Sequence, residues 1–311
     1  MPENNSPKKV TSYVCTLTPE QIGQFQTILD KSDWNFSDLP YGHWKAQKEH
    51  TSVSAYHSGK VVIQGGGTQD LVLYVLEPEI LHEARLGYES VLAEQENPQM
   101  FEPHAGIDES GKGDFFGPLV IACAYTTHDT AQKLLEVGVK DSKMIGTDQA
   151  MFAVARQIHA ILNGSFSLIT ISPTTLNQLY EKIGNLNRIL AWGHARALEN
   201  LLEKVPDCPR AISDQFGQGN LVHQALMERG RKVVLDEHPK AEADIAVAAA
   251  SILAREKYVL EMQRLSTSAG LLLPKGAGPK VTETAKEFLK LHPKAELGNY
   301  AKTFFKTMDS L

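Results

Sequence analysis

From residue 104 to about residue 265 the hydrophobic positions form short apolar runs separated by stretches of helical spacing. The pattern predicts strands near 104–108, 117–125, 166–171, 210–214 and 232–236, and helices near 147–162, 174–204, 219–229 and 242–265. Such alternation indicates an α/β domain with a mixed sheet. Its first two strands run antiparallel, because the turn between them is too short for a crossover. Phe115–Tyr125 is almost continuously apolar, as expected of a strand buried in the core sheet. Ile245–Ala254 is small and apolar enough to pack tightly on that sheet as a helix. Gly276-Ala277-Gly278-Pro279 breaks the pattern before lysine-bearing helices finish the chain.

Upstream the pattern differs. Thr18-Pro19-Glu20-Gln21 combines an N-cap, a proline at the first helical position and a glutamine three residues after the cap, opening an amphipathic helix to about Leu29. Thr51–His57 and Lys60–Gln64 flank Ser58-Gly59 as a hairpin, and Gly65-Gly66-Gly67 separates them from a helix ending near Leu81. This helix, hairpin, helix order predicts a small α+β domain over 1–85. Residues 86–103, including Glu94-Gln95-Glu96-Asn97-Pro98-Gln99, read as a polar linker, and residues 104–311 form the second domain.

Composition narrows the class without naming it. The chain has 311 residues and 42% hydrophobic content, enough for one large and one small core. No apolar run approaches the ~18 residues of a membrane span. The N-terminus lacks the apolar core of a signal peptide, so a cytoplasmic protein with no membrane partner is expected. Cys15, Cys123 and Cys208 are odd in number and far apart, which argues against a disulfide framework or a zinc knuckle. A net charge of −6 taken alone argues against a nucleic-acid partner, yet residues 275–306 carry seven lysines against three glutamates.

Candidate chemistry concentrates where strands end in acids. Asp108 and Glu109 close the first strand of the second domain and precede Gly111-Lys112-Gly113, whose glycines permit a bend that could bring the two carboxylates together and a close approach by a ligand. Alone, such a stretch also fits a solvated surface turn. Asp214 repeats the pattern before Gly217, and Asp244 opens the small-residue helix, where strand-end turn acid and helix-start acid are the respective alternatives. Four carboxylates converging on one point would suit hard divalent cations, and two such ions about 4 Å apart can drive phosphodiester hydrolysis. His43, His50 and His57 recur at a spacing of seven, but strand and loop geometry does not preserve that period, so it is read as coincidence.

The run Ala105–Val120, with Asp108, Glu109 and Gly111-Lys112-Gly113, resembles the opening motif of the prokaryotic type 2 ribonucleases H. Lysine between the glycines makes it similar to their HIII branch. Lys140-Asp141-Ser142-Lys143 and Ala248–Arg255 match further blocks of that family, and the resemblance spans essentially the whole chain. It implies a ribonuclease H-like mixed sheet flanked by helices, behind an N-terminal TATA-box-binding-protein-like domain that holds substrate. It also implies endonucleolytic cleavage of the RNA strand of an RNA/DNA hybrid by a monomer using two Mg²⁺ or Mn²⁺ ions, leaving 5′-phosphate and 3′-hydroxyl ends. On the same basis Asp108, Glu109, Asp214 and Asp244 are the metal-binding catalytic acids, Gly111, Lys112 and Gly113 read the 2′-hydroxyl, and Lys143 contacts phosphate.

In the N-terminal domain, Trp44, Lys45, Lys48 and Lys60 interleave aromatic and basic residues as a sugar–phosphate surface would, although a half-buried sheet face fits equally. A related enzyme that incises at single ribonucleotides embedded in DNA shares the four acids, but Lys112 and the N-terminal domain count against it. A P-loop hydrolase is excluded, because no Ser or Thr follows Lys112.

Overall fold

The structure is a computed structural model that describes residues 10–139, 145–216, 220–239 and 241–311. It divides into two compact units after Leu92.

In the first unit, β1 (Ser12–Thr16), α1 (Pro19–Asp30), β2 (Asn35–Ser37), β3 (Gly42–Lys48), β4 (Thr51–Tyr56) and β5 (Lys60–Gly65) precede α2 (Thr68–Leu71), which continues as a wide-turned helix over Val72–Leu81. The capping box forms: Thr18 Oγ1 accepts from Gln21 N at 3.2 Å, and Gln21 Oε1 accepts from Thr18 N at 3.0 Å. All five strands pair antiparallel in the order β1-β5-β4-β3-β2. One face buries Trp44, Ala46, Val53, Ala55, Val61 and Ile63 against Phe25 and Leu29 of α1 and Leu76 and Ile80 of the last helix. The expected hairpin is therefore the centre of a larger sheet. β1 and β2 are short strands with only half-buried inward residues, and β3 mixes Gly, Lys and Gln with its two core residues, so the three carry weak apolar alternation. Antiparallel pairing of β3 with β4 brings His43 and His57 edge to face at 4.6 Å.

The expected linker is structured. α3 (Glu89–Glu96) and a 3₁₀ turn over Pro98–Phe101 lead into the second unit, where Met100 and Phe101 are buried in its core. β6 (His104–Ser110), β7 (Leu119–Thr126), α4 (His128–Glu136), α5 (Asp148–Leu162), β8 (Phe166–Ile171), α6 (Pro173–Ile183), α7 (Leu186–Leu202), β9 (Arg210–Asp214), α8 (Leu221–Ala225), β10 (Val234–His238), α9 (Ile245–Ala269) and α10 (Pro279–Leu291) follow. The sheet order is β10-β9-β6-β7-β8, with β6, β9 and β10 parallel and β7 antiparallel to both neighbours. β7 is buried on both faces: Val120, Ala122 and Ala124 share a core with residues of α4, α5, α9 and α10, while Leu119, Ile121 and Cys123 share one with residues of α6 and α7.

Two predicted helices change. The stretch 174–204 splits because Gly184 ends α6 in the left-handed region at φ 65° and Asn185 caps α7. The stretch 219–229 shrinks to α8, since Arg229 and Gly230 turn their backbone amides onto the Glu199 carboxylate.

The contact that fixes α9 is at Gly106. A Cβ built there lands on Ala246 C and Val247 N of the helix backbone. Gly106→Ala is expected to cost about 3 kcal/mol through forced separation of α9 from β6, at the upper end for overpacking, read as a lower denaturation midpoint.

Candidate active site

β6 stays paired with β7 through Ser110↔Val120, so the strand is regular across both acids. The expected bend begins only at Gly111, with φ +89°, and Asp108 and Glu109 therefore face opposite sides of the sheet. Asp108 points toward α9, where the Ser251 hydroxyl donates to it, and its Oδ1 also accepts from Glu109 N at 2.8 Å. Glu109 points toward α7, where its Oε2 lies 3.0 Å from His194 Nε2. His194 is fully buried, and its Nδ1 lies 3.0 Å from Ser213 Oγ on β9. The same imidazole thus ties the two acid-bearing strands together.

Asp214 lies level with Asp108 on the neighbouring strand, because Ile107 pairs with Ser213. It shares the α9 side with Ile212, which packs against Val247. Its Oδ1 accepts from Ala241 N at 3.2 Å in the 3₁₀ turn Ala241–Ala243. Adjacent strands are about 4.8 Å apart, which places Asp108 and Asp214 as neighbours at the carboxyl ends of parallel strands.

Asp244 does not join them. It caps α9, with Oδ1 accepting from Ala246 N at 2.9 Å and Val247 N at 3.1 Å, and both its oxygens lie 2.9 Å from His104 Nε2. His104 begins β6 and Asp108 lies four residues further, about 13 Å along an extended strand. Among the described residues, no group of three or more His, Cys, Asp or Glu side chains is arranged to hold a metal ion as it stands.

Electrostatics distinguish the two adjacent acids. Burial and the Glu109 charge push the Asp108 carboxyl up to about 7, against hydrogen bonds that pull it down. Burial also acts to raise Glu109, but hydrogen bonds and charge from His194 and Lys112 hold it below the usual carboxylate range. Lys112 Nζ stands 3.3 Å from Glu109 Oε1 and over the Phe216 ring. Gly111 is required by the fold, since a Cβ there would meet Pro118 O and the Tyr258 ring. Gly113 has an ordinary φ and nothing within 4 Å of a built Cβ, so space above it is open. Lys143 and Gly217 lie outside the described residues.

The expected N-terminal surface breaks up. Trp44 is only 4% exposed, packed edge-on against Phe25 and Phe36 at ring distances of 6.0 and 5.6 Å, with no hydrogen-bond partner for Nε1 among the described residues. It is a core residue because β3 alternation sends it inward with Ala46. Lys45 and Lys60 point to the opposite, outer face, whereas Lys48 is exposed at the strand end with Nζ donating to Ser32 O at 2.7 Å.

His194, Ser213, Ser251 and His104 carry the site's hydrogen bonds without standing out as motifs. A legible signal existed for His194, a polar residue in the stretch Ile189–Leu198 of α7 whose other polar member, Arg196, is exposed. Asp244→Ala is expected to cost about 3–5 kcal/mol, because it strands a buried His104 and two helix amides. Asp214→Asn, at a strand end, is expected to cost under about 1 kcal/mol, both read by chemical denaturation.

Residues 105–308 match the family described as ribonuclease HII, and residues 12–100 match a domain of unknown function (DUF3378). The chain is 38% identical over 301 residues to ribonuclease HIII of Chlamydia pneumoniae, covering 96% of this chain and 97% of that one. It is 35% identical over 299 residues to ribonuclease HIII of Protochlamydia amoebophila, covering 96% of each. The crystal structure of Bst-RNase HIII in complex with Mn²⁺ superposes with a TM-score of 0.65 at 26% identity, over 96% of this chain and 97% of that one. With a family match across the second unit and relatives that align from end to end, the chain belongs to the ribonuclease HII family, in its ribonuclease HIII branch.

Proposed function

We propose that the protein is a divalent-metal-dependent endoribonuclease that hydrolyses the RNA strand of RNA/DNA hybrids, with its chemistry at the carboxyl ends of β6 and β9. The observation that carries the assignment of the site is the juxtaposition of Asp108, Glu109 and Asp214 at those strand ends beside the left-handed turn at Gly111. The donor set consists of carboxylate oxygens, which suit Mg²⁺ or Mn²⁺. The Glu109 charge, which raises the proton affinity of Asp108, is also one that a cation would relieve.

Divalent ions, when bound, supply an activated water and stabilise the leaving oxygen. Asp108 and Asp214 would offer oxygens from the α9 face, and Glu109 would offer one from the α7 face near the same strand end. His194 holds the Glu109 carboxylate in one rotamer, so little ordering remains for the loaded state. Lys112 pairs with Glu109 and, being half-exposed, would also be able to reach a phosphate of the substrate. The open side of Gly113 lets the backbone approach a ribose and contact the 2′-hydroxyl that marks RNA.

For the fourth carboxylate we favour Glu242 over Asp244. Glu242 directly follows Ala241, whose amide already touches the Asp214 carboxylate, whereas Asp244 is held by His104. Cleavage of matched RNA/DNA, RNA/RNA, DNA/DNA and single-ribonucleotide duplexes tests the activity itself, and preference for the last substrate would favour the alternative incision reaction. Asp214→Asn is expected to remain folded and bind hybrid while turnover falls by several orders of magnitude. Glu242→Gln is expected to lower turnover more than Asp244→Asn does once both are corrected for the fraction folded, and the reverse order would restore Asp244.

Residues 1–85 carry seven basic against ten acidic groups, so any hold on nucleic acid must be local. Lys45→Ala and Lys60→Ala are each expected to flatten the salt dependence of hybrid binding by about one unit of slope. Trp44→Ala is expected instead to unfold the first unit, as seen by circular dichroism.

A further inference from the structure

The end of the chain carries a lysine that the chemistry above does not use. Lys302 is fully buried, and its ammonium donates to Asp114 O at 2.6 Å, Gly117 O at 2.8 Å and Phe116 O at 3.4 Å. Its backbone N–H donates to Phe115 O at 2.8 Å. Four consecutive carbonyls, from Asp114 to Gly117, therefore accept from one residue more than 180 positions away in sequence.

These residues lie in the turn between β6 and β7, outside the regular ladder except for a bridge between Phe116 and Ala301. Apart from that bridge and a 3.5 Å bond from the Tyr258 hydroxyl to Phe116 O, these carbonyls depend on the ammonium, and buried carbonyls must be satisfied. Burial pushes the Lys302 ammonium down to about 7 against the pull of Asp114. The Asp114 carboxylate itself accepts from Gly276 N instead of pairing with the lysine. An apolar side chain of similar length would fill the space without that desolvation cost and keep the backbone bond to Phe115 O, but it could not organise the three carbonyls that the ammonium holds.

The lysine is itself anchored. Asn177 of α6 donates Nδ2 to Gly298 O at 3.1 Å and Ala301 O at 2.9 Å, and its Oδ1 accepts from Thr303 N at 2.9 Å. Gly117 N donates to Tyr300 O at 2.9 Å. A continuous path thus runs from α6 through residues 298–303 to the segment directly following Gly111-Lys112-Gly113.

We propose that Lys302 is a positioning residue for RNA selectivity: by gathering the carbonyls of 114–117 it sets the Gly111–Gly117 turn in the shape that reads the ribose 2′-hydroxyl. This rests on the reading of that turn as the sugar-contacting element. Lys302 does not touch the substrate. Its effect is confined to how well the turn distinguishes ribose from deoxyribose.

The test couples a side-chain change to a substrate change. In the wild-type enzyme, replacing the contacted ribonucleotide of a hybrid by its 2′-deoxy form is expected to lower kcat/KM about 10- to 100-fold, the scale of one or two lost hydrogen bonds. In Lys302→Met the same replacement is expected to cost at least threefold less, because the turn no longer presents its donors and acceptors in register. Lys302→Arg, which retains charge and donors, should recover most of the penalty. A lysine serving stability alone would lower the melting temperature of Lys302→Met and leave the 2′-deoxy penalty unchanged, and that result overturns the proposal. If Lys302→Met does not fold, Asn177→Ala decides by the same comparison: a reduced penalty supports the strut and an unchanged one overturns it. Hybrid cleavage by the wild type with no 2′-deoxy penalty would instead remove the sugar-reading role of the turn, and the proposal with it.

Discussion

The closeness of α9 to β6 is the constraint on which the second unit depends. A helix backbone can approach a strand this nearly only where the strand has no side chain and the helix has small ones, and Gly106 facing Ala246, with Val247 and Ala248–Ala250 beyond it, meets both conditions. The approach brings Ser251 to Asp108 and seats the start of the helix over His104. It also fixes where the preceding turn must run, and hence why Ala241 meets Asp214. A bulkier residue at the contact would move all of these together.

The carboxylates lie where strand geometry makes them costly. Neighbouring acids on one strand point to opposite faces, and each needs its own local answer to burial. Glu109 finds it in His194 and Lys112, which keep it ionised. Asp108 finds less, a serine hydroxyl, a backbone amide and the more distant His194, so its proton is held more tightly. An arrangement with one acid stabilised and its neighbour strained by like charge is poised to accept a cation, and that property follows from the position of the acids near the end of a central strand rather than from any single residue.

Rigidity is distributed in the same spirit around the Gly-Lys-Gly turn. Tyr258 packs beneath Gly111, and Met262 with Tyr258 beneath Gly117, so the turn is supported by α9 from below. Lys302 and Tyr300 hold it from the side. Gly113, by contrast, faces open space. A loop that must contact a sugar through its own backbone gains from being held everywhere except where the ligand enters.

Local chemistry in the sequence determined a good deal. The capping box at Thr18, the double-sided apolar run of β7 and the acids terminating β6 and β9 are each written within a few residues, because caps, strand burial and strand ends are short-range matters. The motif blocks that point to the ribonuclease H family are likewise contiguous. Contacts between distant segments decided the rest. Whether Asp244 turns to its own helix cap or to other acids depends on His104, 140 positions earlier. Trp44 is core rather than surface because β1, β2 and β3 complete a sheet whose individual alternation is weak. Lys302 looks like one more basic residue in a lysine-rich tail until the turn at 114–117 closes around its ammonium. Sequence spacing reports which face a residue takes within its own element, but only the packed structure settles what stands on the other side of that face.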